Sequence, residues 1–232
     1  MEEEPEEKDV KVILLGETGV GKTSIINRFI NNKFEEKNEI ETLGPTFLKK
    51  DIKKGNIIYK LQIWDSVGQE KYDSITKLFI KGSNIVLLVY SIDSRQSFER
   101  LNQWYSSITN ILDITKYKLG IVASKSDLRN EEVVSDEEGK ELAKNMCATF
   151  RPVSSKENNN SVNLLFDIMI DELSKINFES RTESYVLSKK NLKKKEKSIM
   201  LQCIKFAFNL IYFIFINNNI LILLFLGYVL IK

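Results

Sequence analysis

The run Gly16-Glu17-Thr18-Gly19-Val20-Gly21-Lys22-Thr23 limits the fold of this chain more than any other stretch. It directly follows the largely apolar run from Val10 to Leu15 and opens onto Ser24-Ile25-Ile26-Asn27-Arg28-Phe29-Ile30. That order is strand, glycine-rich turn, helix, with G-x-x-x-x-G-K-[ST] on the turn. Glycines let backbone N–H groups close round a polyphosphate without Cβ clashes, and the helix N-terminus adds partial positive charge. Lys22 is placed to reach the outer phosphates, and the Thr23 hydroxyl to ligate Mg²⁺. Gly16, Thr18, Gly19, Val20, Gly21 and Ser24 complete the expected cradle. The motif implies a site for a nucleoside phosphate.

The rest of the chain supplies the sheet such a turn needs. Residues 47–52 and 57–64 are β-rich runs joined through Gly55-Asn56, a hairpin signal. Residues 84–90 form a near-continuous apolar run, as in a strand buried on both faces. A loop and short helix are expected over 66–82. Beyond them come a helix near 95–111, a strand at 118–123, a helix at 136–147, a strand at 150–153 and a helix at 161–176. Alternating strands and helices predict an α/β fold: a mixed, mostly parallel six-stranded sheet with helices on both faces and one antiparallel edge from the hairpin. With 232 residues there is room for one such domain plus tails.

Composition removes whole classes of chemistry. There is no histidine, so His-based acid/base, triad and zinc mechanisms are excluded. Cys147 and Cys203 are too few for a disulfide framework, which fits a reducing cytosolic setting. The net charge of +2 hides an uneven distribution. Residues 1–9 are mostly acidic and are expected to form a solvated arm, while 189–197 are strongly basic. The acidic start has no apolar core, so it does not read as a secretory signal peptide.

A second motif narrows the first. Residues 60–70 read K-L-Q-I-W-D-S-V-G-Q-E and end a strand with Asp65 at its tip. A carboxylate there, opposite the phosphate turn, is where Mg²⁺ needs an acidic partner. Gly68 can offer its N–H to a γ-phosphate, and Gln69 can orient an attacking water. Here the chain resembles the Ras superfamily of small GTPases, most closely its Rab branch, over residues 10–178.

The resemblance implies roles for further residues. Lys125 and Asp127, in A-S-K-S-D-L at 123–128, match the guanine-reading N-K-x-D element, with Ser124 at the usual Asn and Leu128 following. Asp127 would accept from guanine N1–H and the 2-amino group, donors adenine lacks. Ser154-Ser155-Lys156 resembles the S-A-K element, and Phe34 stands where the family stacks an aromatic ring on the base. Two threonines compete for the γ-phosphate/Mg²⁺ role in T-L-G-P-T-F at 42–47. The Rab pattern T-I-G-x-x-F favours Thr42, while Pro45-Thr46 is similar to the Pro-Thr of Ras proper. Phe47, Trp64 and Phe79 fall on the family's surface aromatic triad, or serve as ordinary core. With GTP/GDP and Mg²⁺ bound, Thr23, Thr42 and Asp65 would serve the metal. Lys22 and Gln69 would carry the chemistry. No arginine stands where the family supplies a finger in cis, so turnover on the order of 10⁻⁴ to 10⁻³ s⁻¹ is implied.

The implied protein is a monomeric switch in vesicle traffic on the cytoplasmic face of endomembranes, not a nucleic-acid binder. Effectors would meet it through the switch regions and the triad, and an exchange factor and a GTPase-activating protein would regulate it. Two alternatives stand beside this one. Ser124 and Val67 in place of the usual Asn and Ala suggest a scaffold that hardly hydrolyses GTP, and a P-loop ATPase is the other. The tail departs from the family pattern. A basic linker at 179–198 leads into an apolar segment, 199–232, broken by Lys205, Asn209 and Asn217-Asn218-Asn219, with no terminal prenylation cysteine. Its span pattern is poor. Translated A/T-rich non-coding sequence and a membrane anchor are the two readings.

Overall fold

The computed structural model describes residues 4–34, 46–65 and 79–176. In chain order these form β1 (Glu6–Leu15), α1 (Lys22–Asn31), β2 (Thr46–Lys54), β3 (Ile57–Asp65) and β4 (Ile85–Ser91). There follow α2 (Arg95–Glu99), α3 (Leu101–Thr109), β5 (Lys118–Ser124), α4 (Asp136–Asn145), β6 (Thr149–Pro152) and α5 (Ser161–Ser174). The strands make one sheet in the order β2-β3-β1-β4-β5-β6. Every pairing is parallel except β2 with β3, where the hairpin turns at Gly55-Asn56. The expected mixed sheet with one antiparallel edge is present.

Burial follows the two-residue strand period. Ile13, Leu15, Val86, Leu88, Tyr90, Ile121 and Ala123 turn to one face and pack with Leu101, Trp104 and Ile108 of α3 and Ala143 of α4. On the other face α1 and α5 meet through Phe29 stacked on Phe166, ring centroids 3.7 Å apart. Strand β4 is buried along its whole length, as its unbroken apolar run predicted.

Two boundaries differ from expectation. β1 begins at Glu6, not Val10, so Glu6–Asp9 belong to the ladder with Ile57–Lys60 and not to a free arm. Backbone pairing carries the strand outward, and the charges find partners at its rim: Lys60 with Glu7 at 2.6 Å, and Gln62 donating to Asp9 at 3.2 Å. The stretch 95–111 is two helices because the chain tightens at Arg100, whose carbonyl accepts from Gln103 N–H at 3.0 Å.

β1 lies at the point where the strand order reverses, with β3 on one side and β4 on the other. Ligands bind beyond the carboxyl ends of the strands at such a point. Leu15, Asp65, Ser91 and Ser124, the last residues of β1, β3, β4 and β5, all reach that edge. The polar loop at 35–45, most of the expected 66–82 segment, the basic linker and the apolar tail lie outside the described residues.

Candidate functional site

The phosphate turn is shaped by two backbone demands. At Gly16 the chain passes so close to β4 that a Cβ would lie 2.1 Å from the Val89 carbonyl oxygen. At Gly21 it takes a left-handed φ of 96° as it enters α1. Among the described residues no side chain caps that helix N-terminus, and its first turn holds no acid, which suits its amide dipoles to an anion. Val20 is buried as the turn's anchor, while Thr18 and Gly19 are exposed at its crest.

Lys22 is buried and folds back over the turn, donating to the Gly16 and Glu17 carbonyls at 2.8 and 2.6 Å. Burial pulls its ammonium down to about 8, against the opposing pull of Asp65 and then Glu17. The Thr23 hydroxyl donates to Asp65 Oδ2 at 2.6 Å, joining α1 to the tip of β3. Burial holds the Asp65 carboxyl above its usual range, with the Thr23 bond and the Lys22 charge opposing. Its second oxygen, Oδ1, is buried with no hydrogen-bond partner among the described residues. A hydroxyl beside a desolvated, half-satisfied carboxylate is a hard-oxygen donor set of the kind Mg²⁺ takes. The described residues hold no cluster of three or more acidic, His or Cys side chains. Mg²⁺ needs none, because it keeps waters and phosphate oxygens.

Across the edge from the turn, three further segments converge. Ser124, buried at the end of β5, donates its hydroxyl to the Val20 carbonyl and so ties β5 to the phosphate turn. Lys125 takes a left-handed φ of 56°, and Leu128 N–H closes the turn onto the Lys125 carbonyl at 2.9 Å. The Lys125 ammonium pairs with Asp93 at 3.6 Å. Beyond it, Asp127 Oδ1 accepts from the buried Ser154 hydroxyl at 2.6 Å, and Ser154 in turn accepts from Glu157 N–H at 3.0 Å. The Ser154–Lys156 turn and the Asp127 turn are therefore one hydrogen-bonded unit. Phe34 lies half-buried just after the α1 C-cap, Asn32.

This arrangement sets a glycine-rich turn and an aspartate-bearing turn along one sheet edge, and the chain that carries them is similar to known proteins. The family model described as the Ras family matches residues 11–175. The chain belongs to the Ras family. Within it the similarity is to Rab proteins. The chain is 39% identical to the Ras-related protein RabC of Dictyostelium discoideum over 170 residues, 70% of this chain and 83% of that protein. It is 37% identical to the human Ras-related protein Rab-17 over 163 residues, covering 70% and 76%. With Ras-related protein Rab-11B of Dictyostelium discoideum the identity is 36% over 168 residues, covering 71% and 76%. The protein is thus a Rab-branch small GTPase that binds guanine nucleotides, hydrolyses GTP and works as a switch in membrane traffic. Effectors, exchange factors and activating proteins are the partners of that family. These relationships give no support to the scaffold or the ATPase alternative.

In this Rab-branch fold, Lys22, Thr23 and Asp65 come together at one end, and Ser124, Lys125, Asp127 and Ser154 at the other. Ser24 is half-buried on the first turn of α1, and Ser155 is buried with its carbonyl held by Arg28 at 2.6 Å. Lys156 is exposed. Thr42, Gly68 and Gln69 lie outside the described residues. Leu128 is partly buried against the core, and its N–H closes the turn onto the Lys125 carbonyl.

The three aromatics of the triad pack in series. Phe47 packs on Trp64 at 4.9 Å between centroids and Trp64 on Phe79 at 5.3 Å, with Phe47 41% exposed and the other two resting on the core. Sequence reasoning missed Arg28, which braces the Ser154–Lys156 turn, and Arg100, which pairs with Glu17 of the phosphate turn at 3.0 Å. Neither sits in a motif, and each acts on a segment remote in the chain.

Proposed function

We propose that the GTPase reaction is carried out by the residues at this edge in a fixed division of labour. Lys22 and the amides of the Gly16–Thr23 turn hold the β- and γ-phosphates. Thr23, Thr42 and Asp65 would hold Mg²⁺, with Asp65 acting through water, and the ion would supply positive charge to the phosphates. Thr46 supports the choice of Thr42, because it is fixed in the ladder opposite Asp65 with its side chain exposed. Gln69 aligns the attacking water, and Gly68 N–H meets the γ-phosphate. Asp127 reads the base, Phe34 stacks on it, and Lys125, Ser124 and the Ser154–Lys156 turn frame it. Hydrolysis removes the contacts that tie Thr42 and Gly68 to the γ-phosphate, and that loss is the switching event.

The observation that carries this reading is the Thr23–Asp65 hydrogen bond beside a buried, half-satisfied carboxylate at the mouth of the phosphate turn. The protein acts as a monomer on the cytoplasmic face of endomembranes and meets its effectors through the switch regions and Phe47, Trp64 and Phe79. Among the described residues no helix is long and apolar enough to cross a membrane, so the membrane address is assigned to residues beyond 176. The test is Gln69→Leu in protein loaded with GTP labelled on the γ-phosphate. GTP binding is expected to persist while phosphate release slows at least tenfold; an unchanged rate would overturn the role of Gln69.

A further inference from the structure

Arg28 belongs to no nucleotide-binding motif, yet its guanidinium makes three hydrogen bonds to backbone carbonyls at the base end of the site. Nε donates to the Ser155 carbonyl at 2.6 Å and Nη2 to the Lys156 carbonyl at 3.0 Å. Nη1 reaches the Asn32 carbonyl at 3.1 Å. Asn32 is the left-handed C-cap of α1 and stands two residues before Phe34. One planar fork therefore fastens the 154–156 turn to the helix that begins at the phosphate cradle, and fixes the exit of the chain toward Phe34.

The turn is also held from its own side of the sheet edge, where Ser154 N–H donates to the Ser161 hydroxyl at 3.2 Å. A polar cavity of about 120 Å³ lies behind it, lined by Arg28, Asn32, Ser154, Glu157, Asn160 and Ser161. Since Ser154 also clamps Asp127, a displacement of the turn would disturb two base contacts at once. Lysine could not replace the fork, because an ammonium is a compact point charge and cannot serve three carbonyls in one plane.

We propose that Arg28 is a positioning residue for the base: by locking the Ser154–Lys156 turn onto α1, it sets how fast guanine nucleotide is released. The assignment rests on the guanine-reading role of Asp127 and of the Ser155 amide. With that amide taken as the donor to the 6-oxygen of guanine, as the family resemblance implies, loosening Arg28 would act through the 6-position of the base.

The experiment uses the full chain, wild type and the variants Arg28→Ala and Arg28→Lys, with thermal melting to verify folding. Release of GDP is compared with release of 6-thio-GDP, which keeps N1–H and the 2-amino group but carries a poor acceptor at the 6-position. GDP release is expected to be about tenfold faster in Arg28→Ala and intermediate in Arg28→Lys, with the acceleration at least halved for 6-thio-GDP. If Arg28→Ala does not fold, Arg28→Lys carries the comparison alone. Equal acceleration of both nucleotides, or none, in a folded variant overturns the positioning role. A wild type that fails to prefer GDP over ADP would instead overturn the guanine reading beneath it.

Discussion

At the phosphate end of the site one eight-residue turn supplies nearly everything, whereas at the base end Phe34, Asp127 and Ser154–Lys156 arrive from three distant parts of the chain. The phosphate turn works through backbone. Gly16 fits under Val89, and Gly21 turns the chain into α1. The base end works through side chains that hold other side chains and carbonyls in place: Ser154 on Asp127, Arg28 on Ser155 and Lys156, Ser124 on Val20. A backbone site is compact and steric, so single changes in it are severe. A side-chain site distributes its geometry over several hydrogen bonds of modest individual worth.

The sharpest break of that contrast is Gly16→Ala. A Cβ placed 2.1 Å from the Val89 carbonyl oxygen must push β1 and β4 apart, at a left-sided φ of 149°. A loss of roughly 3 kcal/mol or more in unfolding free energy is expected, read by denaturant titration. A stability within 1 kcal/mol of wild type would show that the phosphate turn is not sterically fixed.

Asp127→Asn tests the opposite end. It removes one of two charge-assisted acceptors while Ser154 still has an oxygen to meet. Selectivity for GDP over ADP is expected to fall about 10²-fold, with melting temperature nearly unchanged. A large loss of stability instead would mean that Asp127 serves the turn more than the base.

Ser124→Ala has the smallest expected effect and probes the seam between the two ends. It leaves the buried Val20 carbonyl without its partner, a cost of about 1 kcal/mol. Release of both guanine and inosine nucleotides should quicken by roughly fivefold, because the bond lost is the one that ties β5 to the phosphate turn. Faster release of the guanine nucleotide alone would mean that the Ser124 hydroxyl acts on the base and not through Val20.

The same contrast explains what could be read from the sequence. The strand, turn and helix around Gly16–Thr23 were legible because their whole logic is local, and so was the hairpin at Gly55-Asn56. β4 announced itself by being apolar throughout. The start of β1 at Glu6 was not legible, since charged side chains at a sheet rim look like a solvated arm until the β3 partner is known. Nor was the break at Arg100, where the helical pattern continues across a local tightening of the backbone.

By itself the sequence determined the glycine-rich turn between β1 and α1, the order of strands and helices, and the place of Asp65 at the tip of β3. Each of these is set by residue type and near-neighbour spacing. Tertiary structure alone decided that Asp65 Oδ2 meets Thr23 while Oδ1 is left over, that Ser124 fastens β5 to the phosphate turn, and that Arg28 holds a turn 127 residues away. Hydrogen bonds between segments so far apart depend on where the sheet brings their ends, and no local pattern encodes that.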